Sequence, residues 1–229
     1  MILAPILSLA RPTAAPAPAF PSAGLLAFWK LADLTDSSGN GNALTNNNDV
    51  TFVAGKVGNS AAMADGQYLS RSLTVSVECT VSFWAKLTSS TFTEWGGNYV
   101  FEKIGGAGVV LMETGHARLS DGVTFNVDSA SAVVSAGGWE NWHHFVLTIE
   151  NDEDDEPTLG KLYVDTVLCV NADGNTMTLT VAAPVIFPST PGNNYTPASV
   201  QIDAAGIWSR VLSAPEIAQL YNNGNGVEP

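Results

Sequence analysis

Four adjacent acids, Glu153, Asp154, Asp155 and Glu156, form the densest group of reactive side chains in this 229-residue chain. Glycoside hydrolysis needs two carboxyls converging across a cleft. On a strand, successive side chains point to opposite faces, so convergence requires intervening residues. These four have none, and their charges are expected to splay into water. The pair His143 and His144 meets the same objection, because strand neighbours cannot chelate one zinc ion. One is expected to pack and the other to lie on the opposite sheet face. His116 stands alone, and no serine, cysteine or glycine-loop arrangement builds a nucleophile or a phosphate cradle. The chain reads as a non-enzyme.

Two other groupings suit binding. Residues 36–42, DSSGNGN, can offer carboxylate, amide and carbonyl oxygens together, which is the ligand chemistry of calcium, with Asp36 as its leading ligand. The same residues suit an Asx-type turn in which Asp36 accepts from local amides without any ion. Sugar recognition uses aromatic faces beside polar side chains, since a pyranose face stacks while its hydroxyls find amides and carboxylates. Trp95 and Tyr99 beside Asn98 in TEWGGNY, Trp139 in GGWEN, and Tyr195 in PGNNYT meet that description. Each has a packing alternative, because aromatics near glycine often plug the ends of a β-sandwich. Trp29, Trp84, Trp142 and Trp208 lie inside strand-like runs and are expected in the core.

Short β-type runs separated by Gly, Asn, Asp and Ser clusters must position these groups. The run from Thr74 to Leu87 alternates, with Val75, Val77, Cys79, Val81 and Phe83 on one face and Ser76, Glu78, Thr80 and Ser82 on the other, as in a half-buried strand. WHHFVLTI from Trp142 forms a second strand. KLYV from Lys161 and the apolar run from Val167 flank Asp165 and Thr166 as a hairpin. The acidic stretch 150–156 before it, followed by Pro157, is expected to be a solvated loop. A single brief helix should start at Ser213 with Glu216 closing a capping box, carry Ile217, Leu220 and Tyr221 on one apolar face, and stop at the glycines of NNGNG.

Composition narrows the partners. With 45% apolar and 14% charged residues the chain has ample core for one domain. Twenty-two acids against nine bases give a net charge of −13, which repels phosphate backbones and argues against nucleic acid. The two cysteines, Cys79 and Cys169, sit in apolar runs and are expected as reduced core thiols. The opening MILAPILSLARP has no basic residue before its apolar run and is too short to span a bilayer, so neither a signal peptide nor membrane insertion is expected. Residues 1–23 form a Pro/Ala-rich arm ahead of a domain at 24–229, and prolines in RPTAAPAPAFPS favour an extended course.

The order of several blocks resembles the laminin-G-like jelly rolls of the concanavalin A-like superfamily. LLAFW, DSSGNGN, GKVG and DGQYL are followed by VSFWAK, WHHF, KLYVD, IDAAGIW and LSAPEI, over about Gly24 to Tyr221. Thr166 departs from the family's usual turn glycine, and the loop before Lys161 is longer and more acidic. The resemblance implies an all-β, antiparallel two-sheet jelly-roll β-sandwich with one short C-terminal helix. It also implies a structural calcium near one rim, with Asp203 completing a site at Asp36 and Asn40 as a further ligand. A ligand site on the concave face or rim loops is implied as well. Glycanases of this fold interleave carboxylates with apolar residues on one strand, and this chain has no such strand. The expected function is a non-catalytic carbohydrate-binding or adhesion module, with a surface glycan as partner. Its arm would dock on neighbouring protein subunits, in a layout that resembles small decorating or fibre-associated proteins of phage virions. A free or secreted lectin-like module, or an accessory domain of a glycan-processing system, is the alternative.

Overall fold

The computed structural model describes residues 19–75, 78–89, 91–92, 97–104, 107–120, 126–135, 138–151, 157–172, 182–188 and 199–229. Among them, two antiparallel sheets pack face to face. The first runs in the order β13 (Val167–Asn171), β12 (Pro157–Val164), β11 (His143–Asn151), β6 (Cys79–Leu87), β15 (Ser199–Trp208), β4 (Asn59–Ala64) and β3 (Thr51–Ala54), with β1 (Leu25–Trp29) also paired to β15. The second runs β10 (Asn126–Asp128), β9 (Ala117–Ser120), β8 (Ala107–Met112), β7 (Gly97–Ile104), β14 (Ala182–Phe187), β5 (Tyr68–Thr74) and β2 (Thr45–Asn47). The expected jelly-roll sandwich is the observed fold. Among the described residues no helix is long and apolar enough to cross a membrane.

The core between the sheets follows from alternation. Cys79, Val81, Phe83, Ala85 and Leu87 of β6 point inward beside Phe145, Leu147 and Ile149 of β11. Phe83 stacks on Phe145 at 5.4 Å and meets Phe101 and Phe187 of the second sheet at 5.8 Å each. The opposite face of β6 departs from the half-buried reading, since Thr80, Ser82 and Trp84 are buried too. The cause is a second apolar layer. Helix α1 (Ala214–Tyr221) and the tail after it lie over the outer face of the first sheet, joining Phe28, Trp84, Trp208, Leu212, Ile217 and Leu220. Trp84 stacks on Tyr221 at 5.7 Å and lies tilted against His144 at 5.1 Å.

Local signals were kept with small changes. Glu216 accepts from the Ser213 amide at 2.9 Å and grips Arg210 through both carboxylate oxygens, which drives its pKa down to about 2. The helix ends on Asn222 in the left-handed region, φ 47°, so asparagine takes the place expected of a glycine. Asp165 and Thr166 form the expected hairpin turn, both at positive φ, 49° and 73°. Glu150 belongs to β11 and pairs with Lys161 at 3.0 Å, while residues 152–156 of the acidic stretch lie outside the described residues. Both cysteines are free thiols; Cys79 is buried, and Cys169 is half-buried at the surface and not in the core. From the arm, Phe20 packs edge-on against Phe28 at 5.1 Å, and Trp208 Nε1 donates to the Pro21 carbonyl at 2.6 Å.

Candidate functional site

Strand register defines one end of the sandwich. In the first sheet β6 and β12 end there, while β11 and β15 begin there: His143 lies opposite Ala85, Phe145 opposite Val164, and Val200 opposite Leu87. In the second sheet β7, β9 and β5 begin at the same level as the ends of β8, β10 and β14. Gly97 is paired with Met112, Arg118 with Asp128, and Leu69 with Phe187. The connections leaving this rim therefore include residues 88–96, 113–116, 138–142 and 188–198. All five residues expected to meet a sugar belong to these connections or to the start of β7. Sequence spacing did not announce that; antiparallel pairing of β7 with both β8 and β14 produces it.

Their placements differ. Trp95 and Tyr195 lie outside the described residues. Trp139 is only 1% exposed, with Nε1 donating to the Met112 carbonyl at 2.9 Å and its ring against His143 and Phe145. Tyr99 is 2% exposed, its hydroxyl 3.2 Å from Ser120 Oγ, and its ring lies so close over Gly108 that a Cβ there would collide with it. Asn98 is 1% exposed and donates to the Thr91 carbonyl at 3.1 Å, while its Oδ1 is buried without a partner. These three side chains plug and tie the rim, as the packing alternative held, and present no open face on which a pyranose could stack. Trp142, expected in the core, is half-buried with Lys86 Nζ 5.2 Å above its ring.

A cleft of about 360 Å³ opens at the corner of this rim where the two sheet edges meet. Residues 129–133, following β10, form one wall, and the 164–169 hairpin forms the other. Its polar groups are largely committed. Asp165 accepts from His143 Nδ1 at 2.7 Å and from the His144 amide at 2.9 Å. Burial alone would raise this carboxyl, but those donors outweigh it and hold it below the usual carboxylate range. Ser129 Oγ donates to the Ser131 carbonyl at 2.7 Å. Asp128 is held by Arg118 at 2.6 Å. The neighbouring histidines point to opposite faces as expected: His143 faces Trp139 and the rim, while burial under Tyr221 drives the His144 pKa down to about 3.

The three expected metal ligands, Asp36, Asn40 and Asp203, are each hydrogen-bonded to the protein itself. Asp36 Oδ1 accepts from the Phe28 and Ser38 amides at 3.0 and 2.8 Å, and its Oδ2 from Ser38 Oγ and the Asn42 amide at 2.8 and 2.9 Å. These four donors make Asp36 the centre of an Asx-type turn. Asn40 spends its amide group on the carbonyls of Leu25 and Leu26. Asp203 sits mid-strand on β15, and its Oδ2 takes the Lys56 and Val57 amides at 2.6 and 2.8 Å. Among the described residues Asp36 and Asp203 have no hydrogen-bond partner in common. Among the described residues no group of three His, Cys, Asp or Glu gathers where a metal could sit.

The family model described as the concanavalin A-like lectin/glucanases superfamily matches residues 58–218. No curated protein sequence matches the chain. Among solved structures, the binding domain of Paraclostridial Mosquitocidal Protein 1 superposes with a TM-score of 0.65 at 15% identity, covering 89% of this chain and 53% of that one. The receptor binding domain of botulinum neurotoxin type G gives 0.62 at 16% identity, over 88% of this chain and 51% of its own. The chain thus spans about half the length of those toxin domains. Domain 4 of AbnA, a GH43 extracellular arabinanase from Geobacillus stearothermophilus, in complex with arabinotriose, gives 0.59 at 18% identity over 84% of this chain and 96% of that domain.

Proposed function

The chain belongs to the concanavalin A-like lectin/glucanases superfamily, and from that membership we propose that it is a non-catalytic carbohydrate-binding module. The observation that carries the reading is that β7 begins and β14 ends at one end of the sheet. Loops 93–96 and 189–198 leave neighbouring strands, β7 and β14, at one end of the sheet, and they hold Trp95 and Tyr195. Trp95 and Tyr195 are the aromatics to test, because Tyr99 and Trp139 serve packing. The carboxylates built into the rim strands and hairpin, Asp128 and Asp165, are engaged by Arg118 and His143, which supports binding over acid/base chemistry. Likeness to a domain crystallised with arabinotriose makes short arabinose oligomers the first probe. Calorimetry against arabinotriose and a glycan array should show binding that falls at least tenfold in Trp95→Ala and Tyr195→Ala, with unchanged circular dichroism. A fully folded chain that binds no glycan on the array overturns the reading.

Residues 1–23 are the attachment arm of this module, joining it to neighbouring subunits of a larger extracellular assembly such as a virion. Phe20 and Pro21 seated on the domain support this, because they fix where the arm departs. Deleting residues 1–18 should abolish incorporation while leaving the sandwich folded. The likeness to an arabinanase domain favours the second reading, an accessory or free lectin-like module, in which the deleted chain retains all its partners.

A further inference from the structure

The outer face of the first sheet is covered unevenly. Tyr221 and Gly226 close over Trp84, which lies in one row with His144 and Asp203. In the next row toward the rim, Lys86 lies opposite Gln201. Trp142 directly precedes β11 and, with His143 paired to Ala85, falls beside Lys86 on its other side. Trp142, Lys86 and Gln201 are all half-buried.

This row holds charge and hydrogen-bonding capacity that the chain itself leaves unmatched. Acids outnumber bases 22 to nine, and Lys30, Arg118, Lys161 and Arg210 each pair with a carboxylate. Among the described residues Lys86 and Lys56 pair with none. Each ammonium rests over an indole instead, Lys86 Nζ 5.2 Å from the centre of the Trp142 ring and Lys56 Nζ 5.0 Å from that of Trp84. Trp84 and Lys86 are two residues apart on β6, about 7 Å, so the two cations border one strip. Gln201 adds an acceptor without a donor, because its Oε1 is buried with no hydrogen-bond partner. The terminal torsion of glutamine is soft, so the carboxamide can turn toward a donor arriving from outside.

Unpaired ammonium groups take an anion, an orphaned carbonyl takes a hydroxyl, and an indole takes the apolar face of a ring. A sugar ring that bears a carboxylate supplies all three. The net charge of −13 disfavours densely charged phosphate chains, which leaves a short uronate as the better match. We propose that Trp142, Lys86, Gln201 and Lys56 form a binding site for a uronic acid residue on the outer face of the first sheet. On binding, Lys86 leaves the indole, where an exposed cation is only weakly held, and pairs with the carboxylate. The sugar face replaces it on Trp142, and the Gln201 carboxamide accepts a hydroxyl. The site uses neither Trp95 nor Tyr195, so it stands or falls apart from the rim aromatics.

The probes are trigalacturonate and a hyaluronan tetrasaccharide, with neutral galactotriose as control. Each is titrated into the full chain and followed by calorimetry and by the Trp142 indole NMR resonance, assigned from its loss in Trp142→Phe. At least one uronate should shift that resonance and bind at least tenfold more tightly than galactotriose. Its affinity should fall as sodium chloride rises from about 50 to about 500 mM. Lys86→Gln, whose side chain lies outside the core between the sheets, should weaken binding at least fivefold, and Lys56→Gln at least twofold, with unchanged circular dichroism. Trp95→Ala and Tyr195→Ala should leave it unaltered. No shift with either uronate overturns the proposal, as does equal binding of galactotriose. Uronate binding that survives Lys86→Gln but is lost in Trp95→Ala or Tyr195→Ala belongs to the rim; it supports the proposed function and overturns the outer-face site.

Discussion

Asp36 and Asp203 do the same job in opposite electrostatic circumstances. Each fixes a turn to a strand by accepting backbone amides. Asp36 spreads four donors over both oxygens, and although burial pushes its pKa up, the amides of Phe28, Asn42 and Ser38 and the Ser38 hydroxyl bring it below the ordinary value. Asp203 is 0% exposed, with two amides on Oδ2, a lesser contribution from the Ala204 amide, and an Oδ1 that makes no well-formed hydrogen bond. Burial wins there, and its pKa is raised. A carboxylate stabilises a buried turn only when donors match both its oxygens. A half-matched one remains a net electrostatic cost that the local packing must absorb: a Cβ on Gly55 would collide with Asp203 Oδ2, so glycine is required for the turn to close over it.

The largest effect expected from this contrast is that of Asp36→Ala. It strands three amides, while the Ser38 hydroxyl keeps the Leu26 carbonyl at 3.3 Å, and should cost about 3 kcal/mol in urea unfolding. The loss should be the same in EDTA and in millimolar calcium. A chelator-sensitive difference between wild type and variant would restore the calcium role that the sequence allowed. The loss also has a pH signature. A lowered folded pKa means stability present above the unfolded value near 3.8 and surrendered as pH falls through the folded one, so wild type and variant should converge in acid.

Asp203→Asn should show the reverse dependence and a smaller magnitude. The asparagine Oδ1 can take the Lys56 and Val57 amides while removing a buried charge. Because the folded pKa of Asp203 is raised, the wild type loses stability as pH climbs from the unfolded value through the folded one. The variant should therefore gain on wild type as pH rises from 3.5 to 7. A gap that does not change with pH would show that the carboxyl titrates alike in the folded and unfolded chain, and would remove the contrast with Asp36.

The turns were more legible in the sequence than what lies over them. DSSGNGN announced a carboxylate-centred turn, KLYVDTV a hairpin, and SAPE a helix start, because each depends on residues a few positions apart. Burial of both faces of β6 was not legible. The cover on Trp84 comes from Tyr221 and Gly226, far along the chain, and alternation reports only one face at a time. The same limit explains the rim. Trp139 and Tyr99 sit near glycines in the manner of exposed platforms, yet the Met112 carbonyl and the bare backbone at Gly108 turn them inward. Nothing local distinguishes an aromatic that plugs a rim from one that reads a sugar.

Asp165 extends the comparison to a third carboxylate and carries the smallest expected effect. It is matched on both oxygens, by His143 and by the His144 amide, so it belongs with Asp36. Its turn, however, demands positive φ from Thr166, 73°, where a β-branched side chain crowds its own backbone. Left-handed backbone costs a non-glycine residue about 1–2 kcal/mol, and the added freedom of glycine in the unfolded chain returns up to about 1. Thr166→Gly should therefore raise stability by less than about 1 kcal/mol, seen as a small rise in Tm with the His143 to Asp165 contact intact by NMR. If the gain instead comes with loss of that contact, the carboxylate was being held in place by the threonine's stiffness and not by its donors, and Asp165 would have to be grouped with Asp203.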